Sequence, residues 1–180
     1  MMSEAVLNNI KTRRVVREMT DEPVQRAQIE TILEAARWAP SGGNLRPNRY
    51  IVIEDAETRR LIRLVSPGMF QKAPVLILIC TSWAVAAEHN LPPTDRALLI
   101  DVGTAAQTMM LAAQALGLAS GPVTSYSKEA VKMILNLPED YSPEMFICIG
   151  HKAETAQSGM RAWKKISWRD LTHWERFKSD

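Results

Sequence analysis

Residues 74–81 (Pro-Val-Leu-Ile-Leu-Ile-Cys-Thr) constrain this chain more than any other stretch, because an apolar run of strand length without alternation is the pattern of an interior β-strand. Residues 49–54 (Arg-Tyr-Ile-Val-Ile-Glu) read as a second interior strand, with a helix over 56–65 between the two. From about 94 to 118 the pattern is helical and long. Leu98, Ile100, Ala105, Met109, Leu111, Ala112 and Leu116 place apolar residues around much of its circumference before Gly117 ends it, so this helix is expected to be buried, its methionines serving as adaptable core packing. A third strand follows at 120–124. Next come a helix over 127–135, with Ser127 placed to cap the Ala130 N–H, and a fourth strand over 144–150. Upstream, 3–12 form a short helix and 26–38 an amphipathic one, with Ile29, Ile32, Leu33 and Ala36 at helical spacing and Pro40 as its stop.

The length of 180 residues suffices for one domain with a substantial core, and no composition break marks a linker, so residues 1–180 read as a single unit. A net charge of +2 is too weak for a nucleic-acid surface, which makes local basic clusters ligand sites or solvated faces. The N-terminus lacks a basic region followed by an apolar core, and no apolar run has the length to cross a bilayer, so the expected location is the cytoplasm. Cys80 and Cys148 lie in strand-like runs without CxxC spacing or nearby histidines. They read as buried, reduced thiols; a disulfide between adjacent strands is the alternative, which a cytoplasmic setting disfavours. Residues 151–180 are polar and rich in tryptophan, with Trp163, Trp168 and Trp174 too irregular for a helical stripe. Such a tail needs a surface to pack on, either its own domain or a second subunit.

Two features carry chemistry. Arg13-Arg14-Val15-Val16-Arg17 gathers three guanidiniums within five residues, fork-shaped donors suited to a phosphate, although alone this is also the composition of a solvated basic stretch. The loop Ala39-Pro40-Ser41-Gly42-Gly43-Asn44-Leu45-Arg46-Pro47-Asn48 lets backbone N–H groups approach a ligand with no Cβ in the way. Together they point to a phosphorylated cofactor. The chain has no GxGxxG, no P-loop, no HExxH and no Gly-x-Ser-x-Gly, while His89, His151 and His173 stand apart from one another. No metal site and no catalytic side chain is therefore assigned. An anion cradle without acid, base, nucleophile or metal fits an enzyme whose bound organic cofactor, a flavin or similar group, carries the difficult step.

Arg13-Arg14-Val15-Val16-Arg17 resembles the Arg-Arg-Ser-x-Arg element of the FMN-dependent nitroreductase family. The loop 39–47 resembles that family's Ala-Pro-Ser-x-x-Asn-x-Gln-Pro. Residues 101–118 resemble its central helix, Pro122-Val123-Thr124 the segment facing the flavin ring, and His173-Trp174-Glu175-Arg176-Phe177 its common ending. The resemblance implies an α+β fold, a mixed β-sheet wrapped by helices, in a domain-swapped homodimer with two FMN sites at the subunit interface, residues 151–180 embracing the partner. It further implies that Arg13, Arg14, Val15 and Arg17 border the FMN phosphate and ribityl chain, with Lys164 or Lys165 adding charge. Pro40, Ser41, Gly42, Asn44 and Arg46 would come from the other subunit. Pro122, Val123, Thr124 and Ser125 would lie along the isoalloxazine, a backbone N–H at Thr124 or Ser125 reaching N5. The implied activity passes reducing equivalents from NADH or NADPH to a small electron-poor acceptor of nitroaromatic, quinone or enone type.

The chain departs from the pattern at several places. Val15 stands where Ser is frequent, Arg46 for Gln, Asn48 for Trp, and Gly150-His151-Lys152 for Gly-Tyr-Pro. Residues 82–93 leave little room for the helical insertion that covers the flavin in larger members. Two alternatives accompany the main expectation: a flavin-cleaving or flavin-remodelling enzyme, a branch that tends to carry an acidic residue at the place of Val15, and an FMN-binding dimer without turnover.

Overall fold

The computed structural model describes residues 2–154 and 166–177. In chain order the elements are α1 (Met2–Thr12), α2 (Arg26–Arg37), a 3-10 turn (Gly42–Asn44), β1 (Asn48–Ile53), α3 (Ala56–Leu64), β2 (Val75–Ser82) and α4 (Trp83–Glu88). There follow α5 (Arg96–Ala115), β3 (Ala119–Val123), α6 (Lys128–Ile134), β4 (Tyr141–Gly150) and a second 3-10 turn (Trp168–Leu171). The sheet order is β1-β2-β4-β3, and every ladder is antiparallel. The fold is α+β as expected. The parallel component of a mixed sheet is confined, among the described residues, to the isolated bridge between Val15 and Ser120.

β2 explains why both faces of the sheet need covering. Val75, Ile77 and Ile79 enter the core that α2 and α5 close with Ile29, Ile32, Val102, Ala105 and Met109. The alternate residues Leu76, Leu78 and Cys80 enter the opposite core, with Ile62 of α3, Val131 of α6 and Phe146 of β4. A period of two therefore sends an unbroken apolar strand into two separate cores. At roughly 1.5–3 kcal/mol for each buried aliphatic side chain, this strand and β4 anchor the fold.

Local chemistry sets the helix ends. Asp55 begins α3 by accepting from the Thr58 N–H at 2.8 Å, Asp95 begins α5 by accepting from Ala97 N–H at 2.8 Å, and Ser127 caps α6 through Ala130 N–H at 3.2 Å. Gly117, at φ +76°, ends α5 in a Schellman motif: the Leu118 N–H returns to the Ala113 carbonyl at 2.8 Å and the Gly117 N–H to Gln114 at 3.0 Å.

Three expectations are corrected. β1 is an edge strand with its residues mostly half-buried, because only β2 pairs with it. α5 is buried on one side only: Leu99 and Ile100 remain 57% and 65% exposed, since nothing among the described residues packs on that face. β4 starts at Tyr141, three residues before the expected Glu144, Pro143 pairing with Cys80 where the register shifts. The short helix α4 was not expected at all. Cys80 and Cys148 are buried and free, with no disulfide between them. The described part of the tail does not settle on its own domain, as Trp168, Leu171, Trp174 and Phe177 are all more than half exposed.

Candidate functional site

After α1, residues 13–20 run alongside the β3–β4 end of the sheet. Val16 N–H donates to the Ser120 carbonyl at 3.0 Å, Thr20 N–H to His151 at 2.9 Å, and Ala153 N–H back to Glu18 at 3.1 Å. This lays the arginine segment against the strand that ends in Pro122 and Val123. Arg13 is half-buried, and its Nη1 is buried with no hydrogen-bond partner among the described residues. A desolvated guanidinium nitrogen without an acceptor costs free energy until an anion reaches it. Arg14 and Arg17 are exposed. Arg14 Nη1 donates to the carbonyls of Lys11 and Arg13, both at 2.8 Å, so part of this side chain closes the end of α1. The guanidinium of Arg17 lies 5.9 Å from the centre of the Phe70 ring.

Gly121 makes the close approach possible. A Cβ there would fall 2.6 Å from Gln71 Nε2, 3.0 Å from the Val16 carbonyl oxygen and 3.4 Å from Val15 Cγ1. Gln71 is 2% exposed, and its Oε1 is buried without a partner among the described residues. Sequence reasoning missed this residue; the available signal was a glycine inside a strand, which marks a backbone approach. Pro122 is half-buried, Val123 buried, and Thr124 and Ser125 exposed, the Ser125 carbonyl accepting from Gly68 N–H at 3.3 Å.

The second cluster is the loop before β1, which Asp101 of α5 organises. Its carboxylate, 6% exposed, accepts from Ser41 Oγ at 2.7 Å and from Gly42 N–H at 2.9 Å. Asn48 Nδ2 donates to the Asp101 carbonyl at 3.0 Å, and Thr104 Oγ1 to that of Pro40 at 2.9 Å. Ser41 Oγ also accepts from Arg46 N–H at 3.0 Å, and Arg46 Nε donates to Asn44 Oδ1 at 3.0 Å. Gly43, Asn44 and Arg46 all have positive φ, of 56°, 57° and 54°, a turn that costs little only at glycine. The Gly42 N–H is thus already taken by Asp101. Asp101 was read only as part of a helix, though an acidic residue in an apolar stretch signals a polar partner.

One chain does not bring the two clusters together. The loop precedes β1 at one edge of the sheet, whereas the arginines lie on β3 at the other. Helix α5 gives the scale: Asp101 holds the loop, while Gln114 Nε2, thirteen residues on, donates to Asn9 O and Thr12 Oγ1 at 2.8 Å each, a separation of about 20 Å along the axis. Lys164 and Lys165 lie outside the described residues.

The histidines remain apart: His89 is exposed, His151 Nε2 sits 3.9 Å from Glu22 Oε1, and His173 packs on Phe177 with ring centres 4.4 Å apart. Among the described residues there is no group of three or more His, Cys, Asp and Glu fit to hold a metal. No described helix is long and apolar enough to cross a membrane. Burial pushes the thiols of Cys80 and Cys148 up to about 12, which removes them as nucleophiles at neutral pH.

The profile of the nitroreductase family matches residues 10–69 and 61–151. A protein of Methanothermobacter thermautotrophicus provisionally named NADH dehydrogenase/NAD(P)H nitroreductase is 32% identical over 155 residues, 83% of this chain and 78% of its own. The FMN reductase [NAD(P)H] of Bacillus subtilis is 29% identical over 83% of this chain, which spans 66% of that relative's length. A 5,6-dimethylbenzimidazole synthase of Rhodobacter capsulatus is 26% identical and covered to 96% on both sides. The crystal structure of a nitroreductase family protein from Clostridium difficile 630 superposes with a TM-score of 0.81 at 27% identity, covering 95% of this chain and 98% of that one. With its fold, its arginine segment and its Asp101-held loop all in one frame, this chain belongs to the nitroreductase family.

Proposed function

We propose that the chain is an FMN-dependent NAD(P)H oxidoreductase that works as a homodimer, with each flavin site built from the arginine segment of one protomer and the 40–46 loop of the other. The observation that carries this reading is the separation of the two clusters to opposite sheet edges, together with the buried, unpartnered Nη1 of Arg13. The residues fit the cofactor. A half-buried guanidinium whose Nη1 has no acceptor among the described residues suits an anionic phosphate, and Gly121 lets the Val15–Val16 backbone that carries it lie tight against β3. Arg13, with Arg17 and the remaining donors of Arg14, holds the phosphate; Val15 contributes backbone alone. The half-buried Pro122 and the exposed Thr124 and Ser125 border the ring, Val123 anchoring the segment in the core, and the N–H of Thr124 or Ser125 bonds a ring nitrogen. Pro40, Ser41, Gly42, Asn44 and Arg46 of the second protomer close the other side, and Lys164 or Lys165 adds charge. FMN, when bound, supplies hydride chemistry, and the chain binds and aligns it between NADH or NADPH and an electron-poor acceptor.

The exposed Trp168, Trp174 and Phe177 support a tail, 151–180, that embraces the partner. Two buried reduced thiols suit a cytoplasmic enzyme. The full-length match to the Rhodobacter capsulatus relative supports a second reading, flavin remodelling, against which Val15 stands at the place of an acidic residue.

Anaerobic titration tests these readings. The purified protein is expected to be yellow, to bleach on addition of NADH or NADPH, and to recover its full flavin spectrum with an acceptor. Loss of flavin on exposure to oxygen would favour remodelling, and a yellow protein that never bleaches would make it a carrier. Arg13→Ala should weaken FMN binding by 2–4 kcal/mol, about 30- to 1000-fold. Unchanged affinity would overturn the site.

A further inference from the structure

Beside the 40–46 loop lies a cleft of about 140 Å³, bounded by Ala36 and Arg37 at the end of α2, by Pro40 and Ser41, and by Arg46, Arg49 and Tyr50. The charge on its walls is uneven. Arg37 is neutralised by Glu34, its Nη2 2.6 Å from Oε1, and this pair holds the Glu34 carboxyl well below the usual carboxylate range, at about 2. Arg46 and Arg49 have no carboxylate within ion-pair distance among the described residues. Arg46 Nε meets the Asn44 amide oxygen, and Arg49 Nη1 donates to the carbonyls of Arg46 at 3.0 Å and Asn48 at 2.9 Å. The acid under the loop, Asp101, already accepts from Ser41 and Gly42 and is buried.

Two positively charged residues thus line one small cleft, Arg46 held by an uncharged amide and Arg49 by backbone carbonyls rather than balanced by anions. Arg49, half-buried, clasps the carbonyl of a residue held at φ +54°, a conformation that a non-glycine side chain adopts at a cost. The clasp uses Nη1, and among the described residues Nε and Nη2 of Arg49 make no such bond. Tyr50 also lines the cleft, and partial burial raises its pKa, so its hydroxyl stays protonated.

We propose that this cleft binds an anionic oxygen group, a phosphate monoester or a carboxylate, through the guanidiniums of Arg46 and Arg49, and so makes the enzyme select for a charged reductant or acceptor. The proposal rests on the reading that the loop borders the flavin. Two sources share the chemistry, the 2′-phosphate of NADPH and a carboxylate on the acceptor. The expected discrimination against a ligand lacking the anion is about 10- to 100-fold, the value of one or two charge-assisted hydrogen bonds.

The experiment has two arms, each read without turnover and with it. Calorimetry on the full-length protein compares adenosine 2′-phosphate with adenosine, and 4-nitrobenzoate with 4-nitrobenzamide. Steady-state assays of the FMN-loaded protein compare NADPH with NADH, and the same two nitro compounds. The anionic member of at least one pair should be preferred at least tenfold in both readouts, and the arm that responds identifies the source. Arg49→Gln should abolish that preference and Arg49→Lys restore part of it. Should Arg49→Gln unfold, Arg46→Gln should lower the same anionic-to-neutral ratio. Equal treatment of both pairs by the parent protein, or a preference that survives both Gln variants, overturns the proposal. A protein that holds no FMN yet binds the anions in calorimetry refutes the flavin reading and leaves the cleft standing.

Discussion

Replacing Asp101 tests the loop from its foundation. In the parent, the carboxylate accepts two short bonds, from Ser41 Oγ at 2.7 Å and Gly42 N–H at 2.9 Å, while being 6% exposed. Bonds to a charged group contribute about 1.5–3 kcal/mol each, so the pair stabilises by roughly 3–6 kcal/mol. Two effects offset part of this in Asp101→Ala. Alanine is the better helix former by about 0.6 kcal/mol, and the N–H of Gly42, an exposed residue, regains a water worth about 1 kcal/mol. The net expected loss is about 2–4 kcal/mol. Asp101→Asn should lose less, about 1–2 kcal/mol. Its Oδ1 can still accept from Gly42, and its Nδ2 can donate to Ser41 Oγ, but that oxygen already accepts from Arg46 N–H, and the Ser41 hydroxyl proton is then left without an acceptor. Urea unfolding of the three proteins at one fixed concentration measures both differences. An Asp101→Ala variant within about 0.5 kcal/mol of the parent, or an Asn variant weaker than Ala, would refute the role assigned to the carboxylate.

Gly121→Ala should destabilise by about 1–3 kcal/mol and release FMN, because the new methyl group meets Gln71 and the Val16 carbonyl; thermal melts with and without FMN check it. The two thiols should make the fold alkali-sensitive. Their pKa values are raised from 9.0 to about 12 in the folded chain, so their contribution is complete below about pH 9 and is lost as pH rises toward 12, each thiol by at most about 1.4 kcal/mol per pH unit. Denaturation curves from pH 8 to 11 should steepen this loss in the parent and less so in Cys80→Ala. Deleting residues 160–180 should yield a monomer that no longer retains FMN, read by sedimentation and absorbance; a truncated dimer that stays yellow would contradict the embracing tail. His89, His151 and His173 changed to Gln should leave flavin reduction nearly unchanged in stopped flow, since direct transfer needs alignment and no proton relay.

The elements were legible because their signals are local. The β2 run, the helical spacing of α2 and the caps of Ser127 and Gly117 each follow from a few neighbouring side chains. What was not legible depends on the neighbours of an element. Apolarity cannot tell an edge strand such as β1, half-covered by helices, from an interior one. Pro143 hides the start of β4, since a missing N–H argues against a strand until a register shift accommodates it. The arginine segment and the loop were visible as ligand-seeking sequence. The parts that hold them, Asp101 under the loop and Gln71 behind Gly121, lie 59 and 50 residues away in the chain and look like ordinary helix and loop residues.

The two-ended arrangement along α5 also has a genetic consequence. In the proposed homodimer each chain lends its loop to one site and its arginines to the other. A chain carrying Arg13→Ala and a chain carrying Asp101→Ala would each be defective in both sites of its own homodimer. Mixed in one cell, they would form a heterodimer in which one site collects both defects and the other receives an intact arginine segment and an intact loop. Two inactive alleles of this single gene would therefore complement each other. Two alleles that both damage the same end of α5 would not.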